Sequence, residues 1–246
     1  MNLSAVVITY NEEKMLPGCL KSLTFADEII VVDSGSKDKT IDIAKKYNAK
    51  IFDFKGKSFS QRRNMGFKKA LGEWILYIDA DERVTEKLKE SILKVVNSSN
   101  QIKAYKIDRI NYYLGKLWPG NEKILRLFYK RNFMSWEGLL HESPTFEGQV
   151  GQLEGELLHY SHRSLEEMIN KTNDWSEIEA DLRLAANHPP MSQWRFFRVM
   201  VSTFLDYYFN KGGIKAGTIG IIESIYQSFS QFITYAKLWE KQKIKK

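Results

Sequence analysis

Four short apolar runs between residues 3 and 79 constrain the fold of this 246-residue chain more than anything else in it. They occupy residues 3–10, 28–33, 49–54 and 73–79, and the first, second and fourth are nearly continuous in Val, Ile, Leu and aromatic side chains. Each is too short for a helix, rich in β-branched residues and bounded by polar ones, so each reads as a buried strand. The intervening segments 12–23, 39–47, 58–71 and 85–97 read as helices, with Pro17 blurring the start of the first. Continuous apolar strands alternating with helices imply an α/β fold, a parallel sheet covered on both faces.

In such sheets ligands bind beyond the carboxyl ends of the strands. Three of those ends carry polar groups: Thr9 and Tyr10 after the first run, Asp33 after the second, and Asp79-Ala80-Asp81 after the fourth. In an extended chain Asp79 and Asp81 point to the same face, so both carboxylates can reach one hard cation. Mg²⁺ or Mn²⁺ takes oxygen ligands and commonly combines one or two carboxylates with a substrate's phosphates. The acidic pair alone is weak, since such pairs also occur in solvated turns; the convergence of three strand ends on one crevice strengthens it.

After residue 100 the pattern changes. Residues 104–114 and 122–130 read as longer strands joined through a turn at Pro119-Gly120-Asn121, followed by His141-Glu142 and a Gly-rich polar stretch. Residues 164–186 read as a helix, and Asn187-His188-Pro189-Pro190 closes a catalytic domain expected over 1–190.

The remainder, 191–246, differs in composition. Residues 194–246 hold nine Lys or Arg against three acids, so they carry +6 of the chain's net +7, and 12 of its 32 aromatic residues. Arg195, Arg198, Ser202, Asp206 and Asn210 form a narrow polar stripe on an otherwise apolar helix. A second helix over 218–239 sets Ile222, Tyr226, Phe229, Ile233 and Ala236 on one face, after a break at Lys211-Gly212-Gly213. Basic, aromatic-rich amphipathic helices suit an anionic membrane surface; packing on the catalytic domain or on a second subunit is the alternative. No run of about 18 uncharged apolar residues exists to span a bilayer, and Ala5–Ile8 follows no basic segment of a secretory signal. The single cysteine, Cys19, excludes an internal disulfide and is expected to be buried. Cytoplasmic, membrane-peripheral placement on the inner membrane is the expectation. Nucleic acid is discounted as a partner, because the first 193 residues are nearly neutral and hold no recognised binding motif. The sequence specifies no oligomeric state.

The order Val7-Ile8-Thr9-Tyr10-Asn11-Glu12, Val32-Asp33-Ser34-Gly35-Ser36, Gln61-Arg62-Arg63-Asn64 and Asp79-Ala80-Asp81-Glu82 resembles family 2 glycosyltransferases of GT-A fold. Leu125-Arg126-Leu127-Phe128 and His141-Glu142 are similar to the branch containing bacterial β-1,4-glucosyltransferases of lipopolysaccharide core assembly. The resemblance covers residues 3–165 well and the tail loosely.

The resemblance implies an inverting transfer of a hexose, with glucose from UDP-glucose as the expected donor, onto a saccharide of a lipopolysaccharide core or similar glycolipid. Tyr10 would stack on the nucleotide base, Asp33 would hydrogen-bond it, Thr9 would line the same end, and Glu12 would sit near the ribose. Asp81, assisted by Asp79, would hold Mg²⁺ or Mn²⁺; of His159 and His162, expected on one strand facing the same way, His159 is the candidate further ligand. Arg63, Asn64 and Arg126 would contact sugar or diphosphate, with solvated or salt-bridged surfaces as the alternative. Glu142 would be the general base, the alternative being an ion pair with Arg126 or Arg131. Two rivals are a non-catalytic nucleotide-sugar-binding module and a nucleotidyltransferase. The latter usually opens with a Gly-rich basic phosphate loop, whereas Thr9-Tyr10-Asn11-Glu12-Glu13 is acidic and lacks glycine.

Overall fold

The computed structural model describes residues 1–56, 58–98, 101–139 and 142–244. Its contacts divide the chain into two units, Met1–Ile110 with Asn121–His159, and Asn111–Gly120 with Tyr160–Lys246.

The first unit is built on an α/β sheet. Its elements are β1 (Leu3–Thr9), α1 (Leu16–Ser22), β2 (Glu28–Asp33), α2 (Thr40–Lys46), β3 (Lys50–Asp53), α3 (Phe59–Lys69), β4 (Trp74–Asp79), β5 (Glu82–Val84) and α4 (Glu86–Val96). There follow β6 (Ile102–Tyr113), β7 (Lys116–Tyr129), β8 (Phe133–Glu137), β9 (Ser143–Phe146) and β10 (Gln149–Ser161). The strand order is β3-β2-β1-β4-β7-β6-β10-β5, with β8 and β9 forming a separate ribbon. The β3-β2-β1-β4 half is parallel, as the apolar runs predict; β7 joins β4 antiparallel, and β10 joins β5 antiparallel.

Both faces of the parallel half are buried, which is why its strands are apolar throughout rather than alternating. Leu3, Ala5 and Val7 of β1 pack on one side with Leu16 and Leu20 of α1 and Leu88 and Ile92 of α4. Val6 and Ile8 pack on the other with Tyr77, Phe128, Phe133 and Trp136. Each fully buried Leu, Ile or Val contributes about 1.5–3 kcal/mol. Helix starts follow capping chemistry: Ser58 accepts from Gln61 N at 3.3 Å to begin α3, and Thr85 accepts from Leu88 N at 3.3 Å to begin α4.

The hairpin joining β6 and β7 turns elsewhere than the Pro-Gly pair suggests. Leu114 (φ 48°) and Gly115 (φ 78°) make a two-residue turn, whose doubly left-handed backbone matches the twist of the flanking strands. Pro119 and Gly120 lie within β7 instead. That stretch is outside Leu127–Tyr129, the part of β7 paired to β4, so a proline there costs that pairing no hydrogen bond.

The second unit is helical: α5 (Leu165–Ala185), α6 (Gln193–Leu205) running into a π-helical turn over Asp206–Asn210, and α7 (Thr218–Ile244). The chain breaks between α5 and α6 at the expected Pro189-Pro190, and between α6 and α7 at Gly212-Gly213. The faces differ from expectation. α7 buries Gly220, Glu223, Ser224, Ser228, Thr234 and Leu238, and leaves Ile221, Ile225, Phe229 and Trp239 exposed. Among the described residues no helix is long and apolar enough to cross a membrane.

Candidate active site

The carboxyl ends of β1 and β2 lie side by side, since Thr9 pairs with Asp33 in the sheet register. Thr9 is buried and its hydroxyl has no hydrogen-bond partner among the described residues, whereas Tyr10 is 51% exposed. Asp33 shapes the following loop: Oδ2 accepts from Gly35 N at 2.9 Å and Ser36 N at 2.8 Å, and Oδ1 accepts from the Ser36 hydroxyl at 2.5 Å. Asn11 braces the two loops, its N–H donating to Ser36 Oγ at 2.8 Å and its Oδ1 accepting from Lys37 N at 2.8 Å. Glu12 N donates to Thr40 Oγ1 at 2.8 Å. The result is a polar ledge with one exposed aromatic ring at its edge.

At the end of β4 the chain does not stay extended, because Ala80 and Asp81 form a turn before β5. Asp79 and Asp81 meet different partners across that turn. Asp79 Oδ1 accepts from Arg63 Nη2 at 2.8 Å and Oδ2 from Arg126 Nη2 at 2.8 Å. Burial alone would raise the Asp79 pKa, but the Arg126 and Arg63 guanidiniums outweigh it and hold it well below the usual carboxylate range. Asp81 instead meets His159, whose Nε2 lies 3.5 Å from Asp81 Oδ2, with both side chains largely buried. Strand pairing makes that meeting: β10 runs beside β5 with His159 opposite Glu82, immediately after Asp81. His162 does not share this face. It lies beyond the end of β10 at φ 49° in the second unit, where its Nδ1 is 2.9 Å from Glu223 Oε2.

Around Asp79 runs a chain of alternating charges. Glu142 Oε1 accepts from Arg63 Nε at 3.1 Å, Arg63 reaches Asp79, and Asp79 holds Arg126. Arg126 also donates to Glu82 Oε1 at 3.1 Å, Glu82 lies 3.4 Å from Arg109, and Arg109 pairs with Glu122 at 2.5 Å. Burial would lower the Arg126 pKa, yet the facing Asp79 and Glu82 carboxylates raise it. Glu82 and Arg109 escaped the sequence reading; Glu82, fully buried, follows the acidic pair directly and was the available signal. Arg63 and Arg126 are buried rather than solvated, and Arg63 Nη1 and Arg126 Nε find no partner among the described residues. Such orphaned donors are uncommon in a folded protein and suit an anion.

α3 delivers Arg63, which also lies over the Trp136 ring at 5.1 Å. Asn64, expected to touch the sugar or diphosphate, is spent on the main chain: its Nδ2 donates to Trp136 O at 2.8 Å and its Oδ1 accepts from Trp136 N at 2.7 Å. Its work is to fasten β8 to α3. Glu142 pairs with Arg63 rather than with Arg126 or Arg131, and His141 lies outside the described residues. Buried Cys19 donates its thiol to the main-chain oxygen of Asp79 at 3.5 Å, and burial pushes its pKa up, so it is no nucleophile.

Asp81 and His159 fit a divalent ion. They supply one carboxylate and one imidazole 3.5 Å apart, and neighbouring ligands of an octahedral ion at roughly 2.1 Å stand about 3 Å from each other. No cluster of three or more His, Cys, Asp or Glu exists among the described residues, so diphosphate oxygens and water would complete the shell. An imidazole in the set favours Mn²⁺ over Mg²⁺, whose ligands are almost all oxygen.

The family model described as Glycosyl transferase family 2 matches residues 4–149. An uncharacterized glycosyltransferase of Rickettsia typhi is 30% identical, over 97% of this chain and 87% of that protein. The lipopolysaccharide core biosynthesis glycosyltransferase LpsC of Rhizobium meliloti is 29% identical, over 99% and 94%. Among solved structures, S. aureus TarS overlaps 97% of this chain and 54% of its own at 15% identity and a TM-score of 0.48, too loose a likeness to argue from. With an α/β sheet and a family match over residues 4–149, the chain is a glycosyltransferase and belongs to glycosyl transferase family 2.

Proposed function

We propose that this protein is an inverting, metal-dependent hexosyltransferase that moves glucose from UDP-glucose onto a lipopolysaccharide-core or similar glycolipid saccharide. The observation that carries the reading is Arg63: one buried guanidinium holds Asp79 with one nitrogen and Glu142 with another. Residues widely separated in sequence thereby place the donor-side acid and the candidate base in one ion-pair network. The acceptor class is supported by the near full-length similarity to a protein named for lipopolysaccharide core biosynthesis.

In this reading the base stacks on exposed Tyr10 and meets Asp33, with Thr9 and Glu12 at its border. Asp81 and His159 would hold the ion, which would neutralise charge growing on the departing nucleoside diphosphate. The unpartnered donors of Arg63 and Arg126 would serve the same charge. Glu142, held in position by Arg63 Nε, takes the proton of the acceptor hydroxyl as that oxygen attacks the anomeric carbon from the side opposite the diphosphate.

The exposed apolar stripe Trp194, Phe197, Val201, Leu205 and Phe209, on a segment with excess positive charge, supports peripheral attachment to an anionic membrane carrying the acceptor.

A thermal-shift panel of UDP-, GDP-, ADP- and dTDP-sugars, each with Mn²⁺ or with EDTA, tests the donor side. A ligand binding only the folded state at a hundredfold excess over Kd adds about 2.7 kcal/mol of stability. A Mn²⁺-dependent shift confined to UDP-glucose is expected. Glu142→Gln should keep that shift while transfer to acceptor falls about 10²- to 10⁴-fold. A shift unaffected by EDTA, or full turnover in the glutamine variant, would overturn the assignment.

A further inference from the structure

We propose that the cavity beside Glu142 is a subsite for an anionic sugar, whose carboxylate or phosphate is held by Lys106 and Lys123. This deepens the transferase reading and rests on it, because it assigns the cavity to the acceptor. The cavity has a volume of about 240 Å³ and is lined by Lys106, Lys123, Leu125, Arg126, Trp136 and Glu142 among others, all in the first unit. That is below the roughly 300–1,000 Å³ typical of sites for drug-sized ligands, and suits a single sugar unit.

Its charges do not balance. Glu142 is engaged by Arg63, and Arg126 by Asp79 and Glu82. Lys106 and Lys123, both on the lining of this small cavity, are exposed and have no ion pair or hydrogen bond among the described residues, which leaves two cations with three donors each available to a ligand there. General basicity does not explain them, since nearly all of the net charge sits in residues 194–246. Like charges on one lining repel, and an anion bound there relieves the repulsion. Leu125 and Trp136 supply apolar wall for the C–H face of a sugar ring. A neutral sugar would use the wall and leave both ammonium groups unpaired; an acidic one uses both features. Glu142 on the same lining places the bound sugar's hydroxyls at the base.

Titration of the UDP- and Mn²⁺-loaded full chain with glucose, glucuronate, glucose 6-phosphate and inorganic phosphate tests this, followed by NMR or calorimetry. At least one acidic sugar should bind about tenfold tighter than glucose and tighter than inorganic phosphate, and the preference should weaken with salt. Which acid binds distinguishes carboxylate from phosphate. Lys106→Ala/Lys123→Ala should erase the preference, and Lys106→Arg/Lys123→Arg should retain it. Equal binding of glucose and both acids, a preference that survives the alanine pair, or phosphate binding as tightly as the sugar phosphate would overturn the subsite. The donor thermal shift, run in parallel, separates the two ideas. If it is absent while acidic sugars still bind through the lysines, the subsite stands and the transferase reading falls.

Discussion

Asp79 illustrates how one side chain can be conspicuous in a sequence for one reason and matter in the fold for another. Its spacing from Asp81 suggests a shared ion; in the fold its two oxygens neutralise Arg63 and Arg126, both buried. Removing one partner from a buried charge pair strands the other, at a cost of about 3 kcal/mol or more. Asp79→Asn should therefore lower Tm by roughly 6–12 °C at neutral pH, read by calorimetry. The pH dependence has a definite sign. A carboxyl whose pKa falls on folding contributes stability that is complete above its unfolded value, near pH 4, and is lost as pH falls toward the folded value. The gap between wild type and Asp79→Asn should hold from about pH 7 to 5 and begin to close below about pH 4. A gap that widens with acid would mean the arginines do not control this carboxyl. Asp81 and His159 predict a different phenotype. Asp81→Ala or His159→Ala should abolish Mn²⁺-dependent donor binding while leaving the fold intact, since neither substitution removes an arginine or the Asp79 carboxylate that the arginines share. Near-normal turnover of either variant in EDTA would remove the metal role.

At the level of elements, His159 reaches Asp81 only because β10 is seated correctly against β5 and the start of α4. Gly155 makes that seating possible. It sits at φ +89°, and a Cβ there would lie 2.3 Å from Leu88 N. Nearby, Thr85 N and Oγ1 both donate to Glu156 O. Gly155→Ala combines left-handed strain with a clash against backbone, so it should cost more than about 2 kcal/mol and weaken Mn²⁺ affinity with it. Denaturant melts and Mn²⁺ titration read the two effects; a wild-type melt would show that the close approach is not needed. The elements that escaped the sequence reading share a physical trait. β5, Glu82-Arg83-Val84, has no apolar run to announce it, because its partners are a neighbouring strand edge and an ion-pair network. The hairpin turn was misplaced for a related reason. Pro-Gly is a strong turn signal, but Leu114-Gly115 has Gly where a doubly left-handed turn tolerates it, and Leu114 carries no such signal.

At the scale of the whole molecule, the second unit inverts the usual arrangement of a helix. α7 turns small and polar residues inward, where Ser224 and Ser228 hydroxyls donate to Gly220 O at 2.6 Å and Ser224 O at 3.0 Å. Large apolar side chains on α6 and α7 remain exposed, among them Trp194, Phe197, Ile225 and Trp239. Such a surface on a segment with excess positive charge predicts binding to vesicles containing anionic lipid and release by salt. Trp194→Ser/Phe197→Ser should reduce that binding at least about tenfold in a sedimentation assay, with activity on a water-soluble acceptor unchanged. Indifference of the wild-type chain to anionic vesicles at low salt would end the membrane proposal.

The sequence by itself determined the parallel half of the sheet, its flanking helices and the strand ends that carry Thr9, Tyr10, Asp33 and Asp79, because burial on both faces of a sheet writes itself as continuous apolar runs. It also marked Asp81 by its place after the fourth apolar run, and Glu142 through the resemblance to family 2 glycosyltransferases. Which charges meet was decided only in three dimensions. Arg63 on a helix, Arg126 and Arg109 on later strands, and His159 on the strand beside β5 reach Asp79, Glu82 and Asp81 at and just after the end of β4 through tertiary pairings that no local pattern encodes. Ion-pair partners separated by tens of residues are selected by register and by the need to neutralise one another out of water, and both belong to the folded chain.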